Sequence, residues 1–388
     1  MHDKKDLSRR AFVKQAGLLT AGMMAGAAPG FAAAGPRPAA ANALPKWKGF
    51  NLLDFFNPDP SKAREGTKEE YFKWMADWGF DFVRIPMAYP SYLKIDRSQP
   101  IRPKQVRKID KRAVERVEEL VYLAHKYNLH VSLNLHRAPG FCVNAGFEEP
   151  YNLWKDYEAM DDFCYHWKFW AKRFKNVSPD KLSFDLLNEP CLREDMNDQH
   201  SQRKPVPGVL YRKMAQSAAE AIRSVTPERI IVADGNNVGR DVIRQITDLG
   251  IAQSCRGYYP GIISHYKASW AFKDIDSLPE PKWPGQVGDQ YLHREMLERH
   301  YQPWIELVKQ GVGVHCGECG CYNKTPHDVF LAWFGDVLSI LSENGIGFAL
   351  WEFRGSFGLL DSGRADVAYE DWYGHQLDRK LLELMRSV

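Results

Sequence analysis

The chain is punctuated by an alternation that repeats eight times: a short apolar run of strand character, then a helix-spaced segment or a long crossing loop. The strand-like runs are "WKGFNLL" (47–53), "FDFVRIP" (80–86), "LHVSLNLH" (129–136), "FDLL" (184–187), "RIIVADG" (229–235), "AQSCRGYY" (252–259), "GVGVHCGE" (311–318) and "IGFALWEF" (346–353). Helices are expected at 67–79, 111–128, 157–175, 208–225, 239–248, 291–310, 326–343 and 376–387. The first has Thr67 as N-cap, Glu70 at capping-box distance and Gly79 as stop. Such alternation dictates a parallel sheet, because parallel neighbours need a crossover between them. Eight units in about 340 residues predict an α/β fold, a (β/α)8 TIM barrel in a single domain with loop insertions. The alternative is a doubly wound open sheet. That fold carries a Gly-rich phosphate loop after its first strand, where this chain has "DFFNPDP".

The first 43 residues are set apart from this domain, which is expected over 44–388. "SRRAFVK" (8–14) has the pattern of a twin-arginine export signal, and an apolar stretch too short for a permanent membrane span follows it. "AAA" (32–34) and "ANA" (41–43) offer two small-residue cleavage sites. A periplasmic or extracellular location is therefore expected, with no stable membrane anchor after cleavage. A formal net charge of +3 argues against nucleic acid as a partner. Seven cysteines leave at least one thiol outside any intramolecular pairing. "CGECGC" (316–321) lacks a second CxxC and its side chains alternate along a strand, so buried thiols are expected there and no metal or other cofactor.

In a barrel of this type the active site is built at the C-terminal ends of the strands. Read in order, those ends supply Asn51, Arg84, His136, Asn188 with Glu189, Asp234 with Asn236, Arg256 with Tyr258, Glu318, and Trp351 with Glu352. Glu189 ends the fourth strand and Glu318 the seventh, facing each other across the mouth. Two opposed carboxyl groups suit cleavage of a glycosidic bond: one protonated to donate to the leaving oxygen, the other ionised to attack the anomeric carbon. Arg84 is placed to stabilise an ionised Glu318. Apolar surroundings and the neighbouring charge would keep Glu189 protonated. Asn188 is placed for a sugar 2-hydroxyl, and Pro190 fixes the turn that follows.

The runs "GFN" (49–51), "FVRIP" (82–86), "LNLH" (133–136), "LLNEP" (186–190), "HCGECG" (315–320) and "ALWEF" (349–353) match, in order, the landmarks of a known family. Over about residues 47–388 the chain resembles glycoside hydrolase family 5, the cellulase-type retaining β-glycosidases. The resemblance implies Glu189 as acid/base and Glu318 as nucleophile, with Arg84, His136, Asn188 and Trp351 around them. One landmark departs. Where the family has His-x-Tyr after strand six, this chain has "SCRGYYP", with Arg256 in place of the histidine and Tyr258 in the tyrosine position. A guanidinium can hold a carboxylate as the histidine would, but it relays no proton.

The expected partner is a β-linked polysaccharide or oligosaccharide. The reading is an endoglucanase-like retaining enzyme acting on β-glucan by a two-glutamate double displacement. A β-mannanase or an exo-acting β-glucosidase on the same site is the alternative. Two other classes stay open: a catalytically inactive carbohydrate-binding barrel, and a redox or metal protein using the Cys-rich strand. Trp351 is expected as the floor beneath the cleaved sugar; Trp154, Trp270 and Trp283 lie in or near long loops, where the two readings are packing of the loop and stacking on further sugar rings, and Arg354 is within reach of a hydroxyl or acidic substituent. Oligomeric state has no signal in the sequence.

Overall fold

The structure, a computed structural model, describes residues 42–62 and 65–388. The export-signal motif and the preceding residues lie outside these. Eight parallel strands form the barrel: β1 (Lys48–Asn51), β2 (Phe82–Ala88), β3 (His130–Ala138), β4 (Leu182–Asp185), β5 (Ile230–Asp234), β6 (Ala252–Gly257), β7 (Val314–Cys319) and β8 (Gly347–Leu350). Each pairs with its neighbour in chain order. The ring closes where β1 pairs with β8, with Phe50 opposite Leu350. The predicted (β/α)8 barrel is therefore the observed fold.

Among the described residues, seven helices of eight or more residues surround it: α1 (Glu69–Asp77), α2 (Lys111–Lys126), α3 (Tyr157–Arg173), α4 (Gly208–Arg223), α5 (Arg294–Lys309), α6 (His327–Glu343) and α7 (Arg379–Arg386). The helix expected at 239–248 is instead a 3-10 segment, Arg244–Leu249. Each long helix buries one apolar stripe; in α2 it comprises Ala113, Val114, Val117, Leu120, Val121 and Ala124. Thr67 does not cap α1. Lys68 occupies the N-cap, while the Thr67 hydroxyl and amide both go to Asp54, each at 2.7 Å. Gly79 takes a left-handed φ of +86°, as a residue just past a helix end commonly does. Among the described residues no helix is long and apolar enough to cross a membrane.

The barrel interior is unusually polar. At its N-terminal end Trp47, Phe82, His130 and His315 form an aromatic plug, with Trp47 stacked on His130 at 3.8 Å between ring centres. Above the plug lies a cavity of about 10 Å³, lined in part by Ser132, Ser183, Asp185 and Ser254. Arg84, 1 % exposed, forms its roof. In many barrels branched aliphatic side chains fill this level. Here the level is polar, and Asp185 within it accepts from Arg84 Nε at 2.8 Å.

Candidate active site

The geometry is organised by two buried guanidinium groups. Arg84 projects from β2. Its Nε donates to Asp185 Oδ2 (2.8 Å), Nη1 to Glu318 Oε1 (2.7 Å) and Asn51 Oδ1 (3.1 Å), and Nη2 to Asn188 Oδ1 (2.9 Å). Arg256 projects from β6. Its Nε donates to Glu189 Oε1 (3.1 Å), Nη1 to Asp234 Oδ1 (3.1 Å) and Ser254 Oγ (3.0 Å), and Nη2 to Asn188 Oδ1 (2.9 Å), Glu318 Oε1 (3.4 Å) and Asp234 Oδ2. Two cations thus face four carboxyl groups, Asp185, Glu189, Asp234 and Glu318, in a buried layer. Full ionisation of all four would leave an unbalanced negative charge there, which is costly at low dielectric.

The protonation of Glu189 follows from this arrangement. Burial and the charge of Glu318 push its carboxyl up to about 7, against the opposing pull of Arg256. Asp185 is likewise pushed up to about 7 by burial and by Asp234. The expectation of apolar surroundings for Glu189 needs amending. Its neighbours are a guanidinium and other carboxyl groups, and burial with like charge raises its affinity for a proton.

Local backbone features aim the two glutamates. β4 ends at Asp185, two residues before the expected Leu187, so Glu189 stands four residues beyond the strand. Asn188 N–H still bonds to Leu135 O (3.0 Å), and Glu189 then turns with φ +48°. That left-handed turn is held by Asp234 Oδ2, which accepts from the Glu189 amide at 2.9 Å. On β7 the pairing register slips between Cys316 and Glu318. The bulge turns both Gly317 and Glu318 inward, where strict alternation would send Glu318 to the helices. A Cβ on Gly317 would come within 2.6 Å of Ser254 Oγ, so only glycine fits there. Cys316 and Cys319 are left outside the ring, fully buried. Among the described residues no group of three His, Cys, Asp or Glu side chains is arranged to hold a metal ion.

All eight residues expected at the site lie together. Tyr258 is the tyrosine that turns inward, with its hydroxyl 3.3 Å from Glu318 Oε2. Tyr259 stacks outward on His300. Asn188 is oriented by both guanidinium groups donating to its Oδ1, so its Nδ2 must be the donor. That nitrogen is buried with no partner within the protein. His136 stacks on Trp351 at 5.5 Å, and burial together with Arg84 and Arg256 keeps its imidazole neutral, well below its ordinary pKa. Phe56, unmarked in the sequence reading, packs edge-on against both rings. Beyond it opens a groove of about 600 Å³, running past His136 between the loops after β1, β2 and β3.

The other tryptophans divide. Trp270 is 41 % exposed and packs edge-on against Tyr322, beside the aromatic group that includes His265 and Tyr258. Trp283 is not a platform: it is buried, with Nε1 on Asp336 Oδ2 at 2.8 Å. Trp154 is half-buried against Phe141. Arg354 is held by Asp361 (2.6 Å) and Glu65 (2.8 Å).

Known proteins share this frame. A family model described as Cellulase (glycosyl hydrolase family 5) matches residues 38–356. Endoglucanase C of Acetivibrio thermocellus is 25% identical over 332 residues, which cover 78% of this chain and 88% of that protein. Cellodextrinase A of Ruminococcus flavefaciens is 25% identical over 307 residues, covering 77% and 83%. A crystal structure of a glycoside hydrolase superposes with a TM-score of 0.79 and 36% identity, over 88% of this chain and 99% of that one. The chain belongs to glycosyl hydrolase family 5, and it is a glycoside hydrolase that acts on O-glycosyl bonds.

Proposed function

We propose that the protein hydrolyses β-glucan chains with retention of anomeric configuration, using Glu318 as nucleophile and Glu189 as acid/base. The observation that carries this is the shared guanidinium: Arg256 touches Glu189 and Glu318 at once, so the two carboxyl groups flank one small space. Retaining pairs stand about 5–5.5 Å apart. In the first step a Glu318 oxygen bonds to the anomeric carbon as the bond to the leaving oxygen breaks. Glu189 gives its proton to that oxygen. In the second, the Glu189 carboxylate takes a proton from water. The water oxygen attacks the anomeric carbon and frees Glu318. Arg84 Nη1 donates to Glu318 Oε1 at 2.7 Å and so fixes the orientation of the carboxyl group that attacks in the first step.

The unpartnered Nδ2 of Asn188 suits the 2-hydroxyl of the sugar being cleaved, a contact that strengthens in an oxocarbenium-like transition state. Trp351 offers a face to the same sugar, and His136 a neutral ring beside it. The relatives named endoglucanase and cellodextrinase favour β-glucan over mannan. The groove past Phe56 has room for further sugars of a polymer, which favours internal cleavage. Proton NMR of the first product released from cellotetraose tests the stereochemistry: β-anomer appears first if the reading is right, α-anomer if it is wrong.

Export through the twin-arginine pathway to the periplasm or beyond is part of the proposal. Of the two small-residue runs, cleavage at 32–34 keeps Asn42, whose amide and side chain bond to Gly311 O (3.1 Å) and Gly313 N (2.8 Å). Fusion of residues 1–43 to a reporter, in cells with and without the twin-arginine translocase, tests this.

A further inference from the structure

We infer that Arg256 and Asp234 form a positioning pair that holds the acid/base and the nucleophile on one rigid frame, a task this chain gives to an arginine anchored by a carboxylate. The inference rests on the assignment of Glu189 and Glu318 above. Asp234 is completely buried at the end of β5. One of its oxygens accepts from Arg256 Nη1, and the other from Arg256 Nη2 and from the amide of Glu189. Asp234 therefore fixes the backbone of the acid/base and also the cation that touches its side chain. Arg256 in turn spans the site, with Nε on Glu189 and Nη2 on Glu318. Its donors are taken up by protein groups, which leaves it no evident hydrogen bond to give a sugar.

The surrounding chain is shaped to this arginine. The loop after β5 carries Asn237 and Val238 in left-handed conformations, φ +54° and +64°. For a β-branched residue that is a strained backbone, of the kind found at functional sites. The loop then presses Gly239 onto the arginine stem: a Cβ there would lie 2.5 Å from Arg256 Cγ. Ser254 Oγ and the Tyr301 hydroxyl, which donates to Arg256 O at 3.1 Å, hold the residue from the other side.

The pair also acts on the proton of Glu189, in two opposite senses. The titratable groups that act on Glu189 are Asp234 from β5, Arg256 and Tyr258 on and beyond β6, and Glu318 from β7, while Arg84 from β2 and Asp185 from β4 meet each other and Arg84 meets Glu318 in the same buried layer. Cys191 and His265 stand in the flanking loops. Among the charges, Glu318 and Asp234 favour the protonated acid and Arg256 opposes it. Asp234→Asn should therefore move the basic limb of kcat/KM to lower pH, and Arg256→Met should move it to higher pH, each by about 1 unit.

The test is the pH profile of kcat/KM on cellotetraose for both variants, with thermal unfolding of each. Opposite shifts of the limb support the inference. An unmoved limb, or shifts of the same sign, overturns it even if the rate falls, because a purely structural role would lower the rate without moving the limb. If either variant fails to fold, Gly239→Ala displaces the arginine from outside the site and should shift the limb upward; an unmoved limb in folded Gly239→Ala overturns the inference. Glu189→Gln measured alongside separates the two readings. If it keeps full activity on cellotetraose, the acid/base assignment fails. If it is inactive while the limbs stay put, only the positioning role fails.

Discussion

Arg84 Nη1 and Glu318 Oε1 are 2.7 Å apart, although 234 residues separate them in the chain. The contact joins the middle of β2 to the end of β7 through the barrel interior. It is one of several polar contacts by which Arg84 ties four elements together. The layer proposed to carry the chemistry is therefore also a structural one.

Arg84→Met should abolish turnover and destabilise the fold by about 3–5 kcal/mol, because Asp185 and Glu318 would remain buried without their cation. Urea unfolding and kcat on the same preparation check this. Loss of activity with unchanged stability would mean that the ionic layer contributes less than its burial indicates.

Stability should also depend on pH through this layer. Asp185 and Glu189 are both pushed up to about 7 when folded. In the unfolded chain such groups titrate near 3.9 and 4.3, roughly. The folded state thus holds their protons more tightly. The resulting stabilisation is complete below pH about 4 and is lost as pH rises through about 7. Asp185→Asn removes one of these groups. The fall in Tm between pH about 4.5 and about 8 should be smaller in that variant than in the wild type.

The tryptophans should separate by function. Trp351→Ala should lower kcat/KM on the order of 10- to 100-fold, as expected for a lost apolar face of 1–3 kcal/mol. Trp270→Ala should weaken long oligosaccharides and leave short ones nearly unchanged. Trp283→Ala should cost about 3–5 kcal/mol of stability with no dependence on substrate length. Kinetics on cellobiose-to-cellohexaose aryl glycosides, with thermal melts, distinguish the three.

Much of this was legible in the sequence, for identifiable reasons. The barrel was readable because each strand is a local apolar run and each helix a local periodicity. The residues of the candidate site could be gathered from the sequence because side chains at barrel strand ends share one mouth. What was illegible depends on distant neighbours. The bulge that turns Glu318 inward is a matter of register with β6, which nothing within "HCGEC" reveals. Asp234 stood at a strand end without a role, because its partners Arg256 and Glu189 lie 22 and 45 residues away. Thr67 was misread, and the choice between packing and stacking for Trp283 was left open, for the same reason: Asp54 and Asp336, which claim them, lie outside the local stretch.

The central claim, that Glu318 forms the covalent bond to sugar, is tested most directly by trapping. A 2-deoxy-2-fluoro-β-cellobioside with a dinitrophenolate leaving group slows the second step more than the first. Peptide mass spectrometry should then find one fluoroglycosyl group, on the peptide bearing Glu318, and none on Glu318→Ala. An adduct on Glu189 or another residue, or continued turnover of the reagent by Glu318→Ala, would contradict the account.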